Sequence, residues 1–229
     1  MRRMQARSVP GVWQRGRGPR TAENHEPARK LVRCRPMTDL SAFPITRKWP
    51  AAHPERLQLY SLPTPNGVKV SILLEETGLP YEVHRVDFGQ NDQTTPEFLS
   101  LNPNNKIPAI IDPHGPEGTP LALWESGAIL VYLASKSGQL LPRDTGARYE
   151  TLQWLMFQMG GIGPMFGQNH HFQKAAPEKL PYAIKRCVDE TRRLFGVMDK
   201  RLAEFPNLSR WHDAIAARPA VQRGMAIPN

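Results

Sequence analysis

The chain has 229 residues, which is enough for two domains of ordinary size with a core in each. Its formal net charge is +9 at pH 7, but residues 1–36 carry ten Lys and Arg against two Glu, so the rest of the chain is close to neutral and is not a basic nucleic-acid-binding surface. Two distant cysteines exclude a disulfide framework, and no apolar run approaches the roughly 20 residues that span a bilayer.

Residues 1–56 are predicted to form a basic, proline-rich, disordered N-terminal extension. A nucleic-acid-binding arm, a transit peptide and a start-site error are the three interpretations of residues 1–36. Trp13 is the only aromatic residue there and no amphipathic helix is evident, so we favour the start-site error, with the natural chain beginning at Met37, where the composition changes. The segment also lacks the apolar core of a signal peptide, which makes the cytoplasm the default location.

Residues 57–141 are predicted to form an α/β domain. Hydrophobic alternation indicates strands at Leu57–Tyr60 and Tyr81–Val86, and Asn66 is predicted to cap the helix between them. A short helix at Pro96–Leu101, strands from Ala109 and Leu121, and a helix from Gly127 follow. This order matches a thioredoxin-like domain, with Pro108 at the position where that fold keeps its cis proline.

Two turns of this domain carry candidate binding groups. Pro108 cannot donate within a strand and forces Ile107 into an extended conformation, so Ile107 can offer its main chain to an extended peptide. Ser126 is predicted to be the N-cap of a helix whose free N–H groups form an anion site, and Glu125 beside it can hold an ammonium group. The alternatives are a plain turn proline and an ordinary helix cap with an acidic neighbour.

Residues 145–229 are predicted to be helical. Apolar side chains from Tyr149 to Met159 recur at helical spacing, and the segment 160–164 is predicted to break or kink that helix. A long helix is predicted from Glu178 to Glu204. Cys187 lies on its apolar stripe, which favours a core thiol over a catalytic one.

Four short motifs together resemble the glutathione transferases. They are Pro-Thr-Pro-Asn-Gly at residues 63–67, Asn-Lys-Ile-Pro-Ala-Ile at 105–110, Glu-Ser-Gly-Ala-Ile-Leu at 125–130 and Gly-Gln-Asn-His-His-Phe at 167–172. The first and last narrow the resemblance to the nu-class branch, the bacterial glutathione-dependent disulfide-bond oxidoreductases. The resemblance implies the transferase fold, with a thioredoxin-like N-terminal domain and an all-α C-terminal domain.

The resemblance also implies which residues bind glutathione. In the family the positions of Thr64 and Asn66 lie beside the glutathione sulfur, which makes these two residues the catalytic candidates. The resemblance implies that Ile107, before a cis Pro108, pairs with the cysteinyl backbone of glutathione. It implies that Glu125 and Ser126 bind the γ-glutamyl end, and that Gln93 and Lys106 bind the glycyl carboxylate. Arg186 is implied to reach the glutathione of the neighbouring subunit.

Other roles for these residues remain open. Thr64 and Asn66 also suit a turn and a helix cap, Gln93 and Lys106 suit a solvated loop, and Arg186 suits a solvated helix face. Because transferases of other classes use a Ser or a Tyr near the first turn, Ser61 and Tyr60 are competing catalytic candidates. His170 and His171 are expected to line or support the pocket of a second substrate.

The implied protein is a homodimeric, cytoplasmic, glutathione-dependent reductase of disulfides and peroxides, with weaker transferase activity on electrophiles. Glutathione is its expected co-substrate, and no metal, nucleic-acid or membrane partner is expected. The alternatives are a non-catalytic, glutathione transferase-like binding or regulatory protein and a poorly folding, internally deleted product.

One departure from the family motivates the last alternative. In the family the long helix is followed by a buried helix that begins with a Ser/Thr-x-x-Asp capping box. Here Glu204 is joined directly to a segment resembling the lead-in to the final helices, of which one is predicted from Leu208 to Ala217. The helical domain, residues 145–229, is therefore predicted to be truncated and to lack a central helix.

Overall fold

The computed structural model describes residues 40–203 and 213–228. The predictions for residues 1–39, including the start at Met37, lie outside the described residues. So do Glu204, the junction after it and the first part of the helix predicted at Leu208 to Ala217. Within the described part of the chain, no helix combines the length and the apolar character needed to cross a membrane.

A four-stranded mixed sheet forms the N-terminal domain, with the strand order β2-β1-β3-β4. Strand β1 pairs in parallel with β2 and antiparallel with β3, and β3 pairs antiparallel with β4. The strands are β1 (Leu57–Ser61), β2 (Tyr81–Arg85), β3 (Ala109–Asp112) and β4 (Leu121–Trp124). All five residues of β1 are buried, as expected for a central strand covered on both faces. The predicted thioredoxin-like fold is confirmed.

Helices cover both faces of this sheet. They are α1 (Gly67–Thr77), α2 (Pro96–Leu101) and α3 (Ser126–Ser137). Because side chains alternate along a strand, Leu59 of β1 joins the core cluster under α1 and α3, and the next residue, Tyr60, joins the cluster under α2. The sheet therefore has one core on each face, and the turns that follow β1 and precede β3 and α3 are attached to elements of these two cores.

The segment before β1 is part of the fold, so the prediction of a disordered extension is wrong for residues 40–56. Leu40 and Ile45 are 5% and 0% exposed in the α2-side core, and residues Pro44–Arg47 form a 3₁₀ turn against α2. Trp49 packs edge-on against Phe98 and donates its indole N–H to the Arg85 carbonyl at 3.0 Å. Too few apolar residues are present to show periodicity, but Leu40, Phe43, Ile45, Trp49 and Ala51 pack into a core that β1, α2 and β3 build.

A buried polar pair in the sheet is expected to make stability depend on pH. His84 stacks on Tyr60 and shares a 2.8 Å hydrogen bond with the Gln58 side chain, and burial lowers the pKa of His84 despite the opposing charge of Glu82. The folded state therefore holds His84 neutral while the unfolded state takes up a proton below the ordinary value of 6.5. Stability is expected to fall as the pH drops below that value, by at most about 1.4 kcal/mol per pH unit until the lowered pKa is reached.

This pH effect can be measured by thermal melting at pH 7.5 and 5.5. His84→Gln keeps a side-chain donor for Gln58 but does not titrate, so its loss of Tm between these two pH values should be smaller. Glu82 accepts bonds from the Ala52 and His53 amides, and its pKa is lowered, so its own contribution is lost only at more acidic pH. An equal loss of Tm in the variant and the wild type would contradict the assignment to His84.

The helical domain consists of one nearly continuous helical path and a long helix beside it. Its elements are α4 (Thr145–Phe157), a π-helical turn (Gln158–Ile162), α5 (Gly163–His170), a second π-helical turn (His171–Ala175) and α6 (Pro181–Ala203). Residues 160–164, predicted to break or kink the helix, interrupt the α-helix without breaking the helical path: α4 ends at Phe157, the chain widens into a π turn, and α5 continues from Gly163. Cys187 is 5% exposed, which confirms the predicted core thiol.

A short C-terminal helix, not foreseen from the sequence, packs on α1. This helix, α7 (Pro219–Met225), begins with a proline in its first turn, and residues 213–216 before it are also helical. Gly224 is required at the contact, since a Cβ there would lie 2.4 Å from the Ile72 Cα. Ser71 donates to the Gly224 carbonyl at 2.5 Å. The division of the chain into residues 57–141 and 145–229 stays a prediction.

Candidate functional site

A cleft of about 230 Å³ opens where three turns of the thioredoxin-like domain meet the helical domain. Six of the nine residues predicted to bind or activate glutathione line it: Asn66, Lys106, Ile107, Pro108, Glu125 and Ser126. The remaining lining residues are Asn102 and Met159. Residues separated by some 60 positions in sequence thus form one concave surface.

The turn between β1 and α1 presents Asn66 differently from the prediction. The Asn66 side chain does not cap α1; instead, Thr64 Oγ1 accepts a 3.2 Å hydrogen bond from the Gly67 amide. Asn66 has helical backbone angles, φ −86° and ψ −38°, and not the extended ones typical of a capping residue, and its side chain makes no capping hydrogen bond. Its amide group is consequently exposed at the cleft and available to a ligand.

The loop before β3 places the main chain of Ile107 in the cleft. The Ile107–Pro108 bond is cis, as predicted, and the ladder with β1 begins only at Ala109. Asn102 holds this loop from below: its Nδ2 donates to the Lys106 carbonyl at 2.5 Å, and its Oδ1 accepts from the Asn104 amide at 2.9 Å. Asn102 is only 1% exposed, so both bonds are shielded from water.

Sequence reasoning missed Asn102. A signal was present, because an asparagine directly after a helix and before Pro103 is typical of a side chain that organises a turn. That signal predicts a turn but not which carbonyl the side chain reaches.

The turn between β4 and α3 carries Glu125 and Ser126. The prediction that Ser126 is the N-cap is wrong, because Glu125 takes that position and Ser126 is the first residue of α3. Glu125 has φ 71° and ψ 111°, an unusual conformation for a non-glycine residue, of the kind that costs about 1–3 kcal/mol and is common at ligand sites. Ser126 is buried and lies at the end of α3 where free N–H groups favour an anion.

The first π turn contributes Met159 to the lining of the cleft, and Lys69 of α1 contacts Met159. Met159 packs on Gly127, where a Cβ would lie 2.9 Å from its Cγ, and its sulfur lies 3.6 Å from both the Ser126 Oγ and the Lys69 Nζ. Lys69 also donates to Gln158 Oε1 at 3.0 Å. Burial lowers the pKa of Lys69, and the charge of Glu125 partly opposes this change. No sequence pattern distinguished Met159 and Lys69 from ordinary helix residues.

Three predicted residues do not line the cleft. Thr64 lies under the first turn as the α1 cap, as described above. Gln93 lies in a 3₁₀ turn (Asp92–Thr94), and its Oε1 is buried without a hydrogen-bond partner among the described residues. Arg186 lines a separate depression of about 690 Å³ on α6, together with Tyr182 and Glu190.

The competing catalytic candidates lie inside the domain. Ser61 and Tyr60 are both 0% exposed; Ser61 donates weakly to the Leu62 carbonyl at 3.4 Å, and the Tyr60 ring belongs to the α2-side core. His170 and His171 are exposed and do not line the cleft. No group of side chains suited to holding a metal ion occurs within residues 40–203 and 213–228.

Comparison with known proteins links the chain to proteins that act with glutathione, in agreement with the residues that line the cleft. The family described as Glutathione S-transferase, N-terminal domain, matches residues 55–135. The disulfide-bond oxidoreductase YfcG of Escherichia coli (strain K12) is 45% identical to this chain over an alignment of 203 residues. The alignment covers 74% of this chain and 94% of that protein.

Two similar crystal structures contain glutathione. One is a glutathione transferase from Burkholderia graminis with two glutathione molecules bound per subunit; it is 56% identical with a TM-score of 0.81, and the match covers 85% of this chain and 98% of that chain. The other is a glutathione transferase from Pseudomonas putida with one glutathione disulfide bound per subunit, 53% identical with a TM-score of 0.81 over 84% and 100% of the two chains. By fold, cleft and sequence, the chain belongs to the glutathione transferase family.

Proposed function

We propose that this protein is a glutathione-dependent disulfide-bond reductase of the nu-class branch. The observation that carries the proposal is the meeting of Asn66, Ile107 and Glu125 in one cleft, each delivered by a different turn. The resemblance to YfcG and to transferases that hold glutathione or its disulfide supports an enzyme over a non-catalytic binding protein. Peroxide reduction and weaker transfer to electrophiles belong to the same proposal, because each begins with the same thiolate.

The proposed reaction uses the thiol of glutathione, since the one cysteine of the described residues is buried. The glutathione thiolate attacks one sulfur of the substrate disulfide, forming a mixed disulfide and releasing the other half as a thiolate that takes up a proton. A second glutathione thiolate then attacks the glutathione sulfur of the mixed disulfide. It releases the second substrate thiol and leaves glutathione disulfide, so two glutathione molecules supply the two electrons.

In this reaction Asn66 stabilises the attacking thiolate. Its free side-chain amide can donate a hydrogen bond to the sulfur, and the adjacent N-terminus of α1 adds a partial positive charge. Thr64 supports this arrangement by capping the helix through Gly67. The effect is to lower the pKa of the bound thiol towards the working pH.

The rest of the tripeptide is proposed to lie along the cleft. The Ile107 main chain pairs with the cysteinyl backbone, while the γ-glutamyl end places its ammonium at Glu125 and its carboxylate at Ser126 and the free N–H groups of α3. Lys106 and Gln93 bind the glycyl carboxylate. For Gln93 the donor to that carboxylate is the side-chain Nε2, because the Oε1 is an acceptor and lies buried without a hydrogen-bond partner among the described residues.

A homodimer is part of the proposal. Arg186 lies outside the cleft, in the depression on α6, so a contact with glutathione requires the ligand of another subunit. A largely apolar groove of about 700 Å³ along β4, α3 and α4 is a candidate surface for that subunit. A cytoplasmic location is also proposed, in keeping with a free buried Cys187.

Two measurements on the full chain test the proposed function. The protein should be retained on immobilised glutathione and eluted by free glutathione, and it should reduce bis(2-hydroxyethyl) disulfide with glutathione as the reductant. Retention without turnover would indicate the non-catalytic binding protein. Failure of both would indicate the poorly folding, internally deleted product.

A further inference from the structure

The loop that carries Gln93 is organised around the neighbouring Asp92. Asp92 Oδ2 accepts a 2.8 Å hydrogen bond from the Asp87 amide, and the Asp92 carbonyl accepts from Thr95 Oγ1 at 2.8 Å. The Asp92 side chain is 12% exposed, so its charge is largely removed from water. Gln93 follows directly in the chain, and its direction therefore depends on how Asp92 is held.

Lys48, from the segment before β1, supplies the countercharge for Asp92. Its Nζ lies 2.6 Å from Asp92 Oδ1, on the oxygen that does not bind the Asp87 amide. Burial alone would raise the pKa of Asp92, but the bonds from Lys48 and the Asp87 amide hold it below its ordinary value. Within residues 40–203 and 213–228, no other cation pairs with this carboxylate.

The position of Lys48 is itself fixed by the core. Its ammonium lies 5.0 Å from the Trp49 ring centroid, and that ring packs edge-on against Tyr60 and Phe98 at 6.0 and 6.5 Å. Lys48 also follows the 3₁₀ turn whose Ile45 is fully buried. The bridge therefore connects the segment packed on the α2-side core to a polar loop, residues 87–95, in which Asp92 is the one buried residue.

We propose that Lys48 is a positioning residue for glutathione binding: through Asp92 it holds the loop that presents Gln93 to the glycyl carboxylate. This inference rests on the proposed function, in which Gln93 binds that end of the ligand. Without the bridge, Asp92 keeps a poorly hydrated charge with one carboxylate oxygen unpaired, and the loop must rearrange to hydrate it. The rearrangement moves Gln93 but leaves the turns of Asn66, Ile107 and Glu125 in place.

Two ligands that differ only in the glycyl residue separate this role from a general structural one. The affinities of glutathione and γ-glutamylcysteine are measured by calorimetry for the wild type, Lys48→Met and Lys48→Arg. Lys48→Met should weaken glutathione binding about tenfold, the size expected for a disturbed hydrogen bond to a charge, and change γ-glutamylcysteine binding less than about twofold. Lys48→Arg should restore most of the glutathione affinity, because arginine can still pair with the carboxylate.

A control is available at the end of β3, where Lys136 of α3 pairs with Asp112. Lys136 pairs with the buried Asp112 at the same 2.6 Å and with a similarly exposed side chain, 27% against 32% for Lys48. Lys136→Met removes a bridge whose residues do not line the cleft and should leave both affinities unchanged, although Lys136 also donates to the His114 carbonyl and Asp112 keeps the Tyr132 hydroxyl as a donor. If Lys48→Met does not fold, the same two affinities are measured for Asp92→Asn. This variant keeps an acceptor for the Asp87 amide but removes the charge that Lys48 pairs with, so it should also weaken glutathione binding selectively.

The outcomes distinguish this inference from the proposed function. If the wild type binds neither ligand, or if Gln93→Ala weakens both ligands equally or neither, the glycyl assignment of the proposed function fails and the inference fails with it. If Gln93→Ala weakens glutathione alone while Lys48→Met and Asp92→Asn do not, the inference is overturned and the proposed function stands. An equal loss for both ligands in the Lys48→Met variant also overturns it.

Discussion

Replacing Asn66 by alanine is expected to lower the rate of disulfide reduction by about 10- to 100-fold. A lost hydrogen bond to a charged partner costs about 1–3 kcal/mol, and about 1.4 kcal/mol corresponds to a factor of ten. Because Thr64, and not Asn66, caps α1, the substitution removes a ligand contact without removing a helix cap. Melting temperature should therefore change little, while the pKa of the bound glutathione thiol rises.

The thiol pKa can be followed from the thiolate absorbance of the complex as a function of pH. Ser61→Ala is the matched control from the same turn, since Ser61 makes only a weak bond to the Leu62 carbonyl and does not reach the cleft. Loss of turnover in Ser61→Ala with a silent Asn66→Ala would instead identify a serine-type transferase.

Restoring a capped apolar helix after Glu204 is expected to raise the melting temperature on the order of 10 °C, together with activity. Each large apolar side chain that becomes fully buried contributes roughly 1.5–3 kcal/mol, whereas the net stability of a domain is only about 5–15 kcal/mol. The described helical domain leaves surface available to such a helix, since no residue of α4 or α5 is buried. Several large side chains are more than half exposed, namely Tyr149, Met156, Tyr182 and Phe195.

The same exposed surface predicts that the chain as it stands binds a hydrophobic dye. An insertion of equal length made of Gly and Ser is the control for the restored helix, because it lengthens the connection without adding an apolar face. Dye binding should fall only with the apolar helix. A chain that already melts cooperatively at an ordinary temperature and binds no dye would contradict the predicted gap in the helical domain.

Local pattern was sufficient for the elements that depend on neighbouring residues. The strands at Leu57 and Tyr81 and the extended Ile107 before Pro108 were predicted, because alternation and proline geometry act within a few residues of the chain. Cys187 was placed in the core for the same reason, through its spacing on a helical stripe. The cis state of the Ile107–Pro108 bond was implied by the resemblance to the thioredoxin-like fold.

Details at the same turns were not predictable from pattern. Thr64 and Asn66 are both capping residues, and only the backbone angles of the folded turn decide which side chain reaches the Gly67 amide. Similarly, Ser126 is the better N-cap by residue type, yet the turn from β4 gives that position to Glu125.

The sequence by itself determined the thioredoxin-like order of elements, since hydrophobic period, proline and glycine act locally, and its resemblance to the transferase family identified the residues of the glutathione motifs. Only the tertiary structure decided that residues 40–56 contribute to the core, that Asn102 holds the Ile107 loop, and that Met159, in contact with Lys69, lines the cleft. These contacts join segments that are distant in sequence or depend on the exact path of a turn. Their energies come from burial and hydrogen bonds that exist only once the chain has folded, so no local pattern records them.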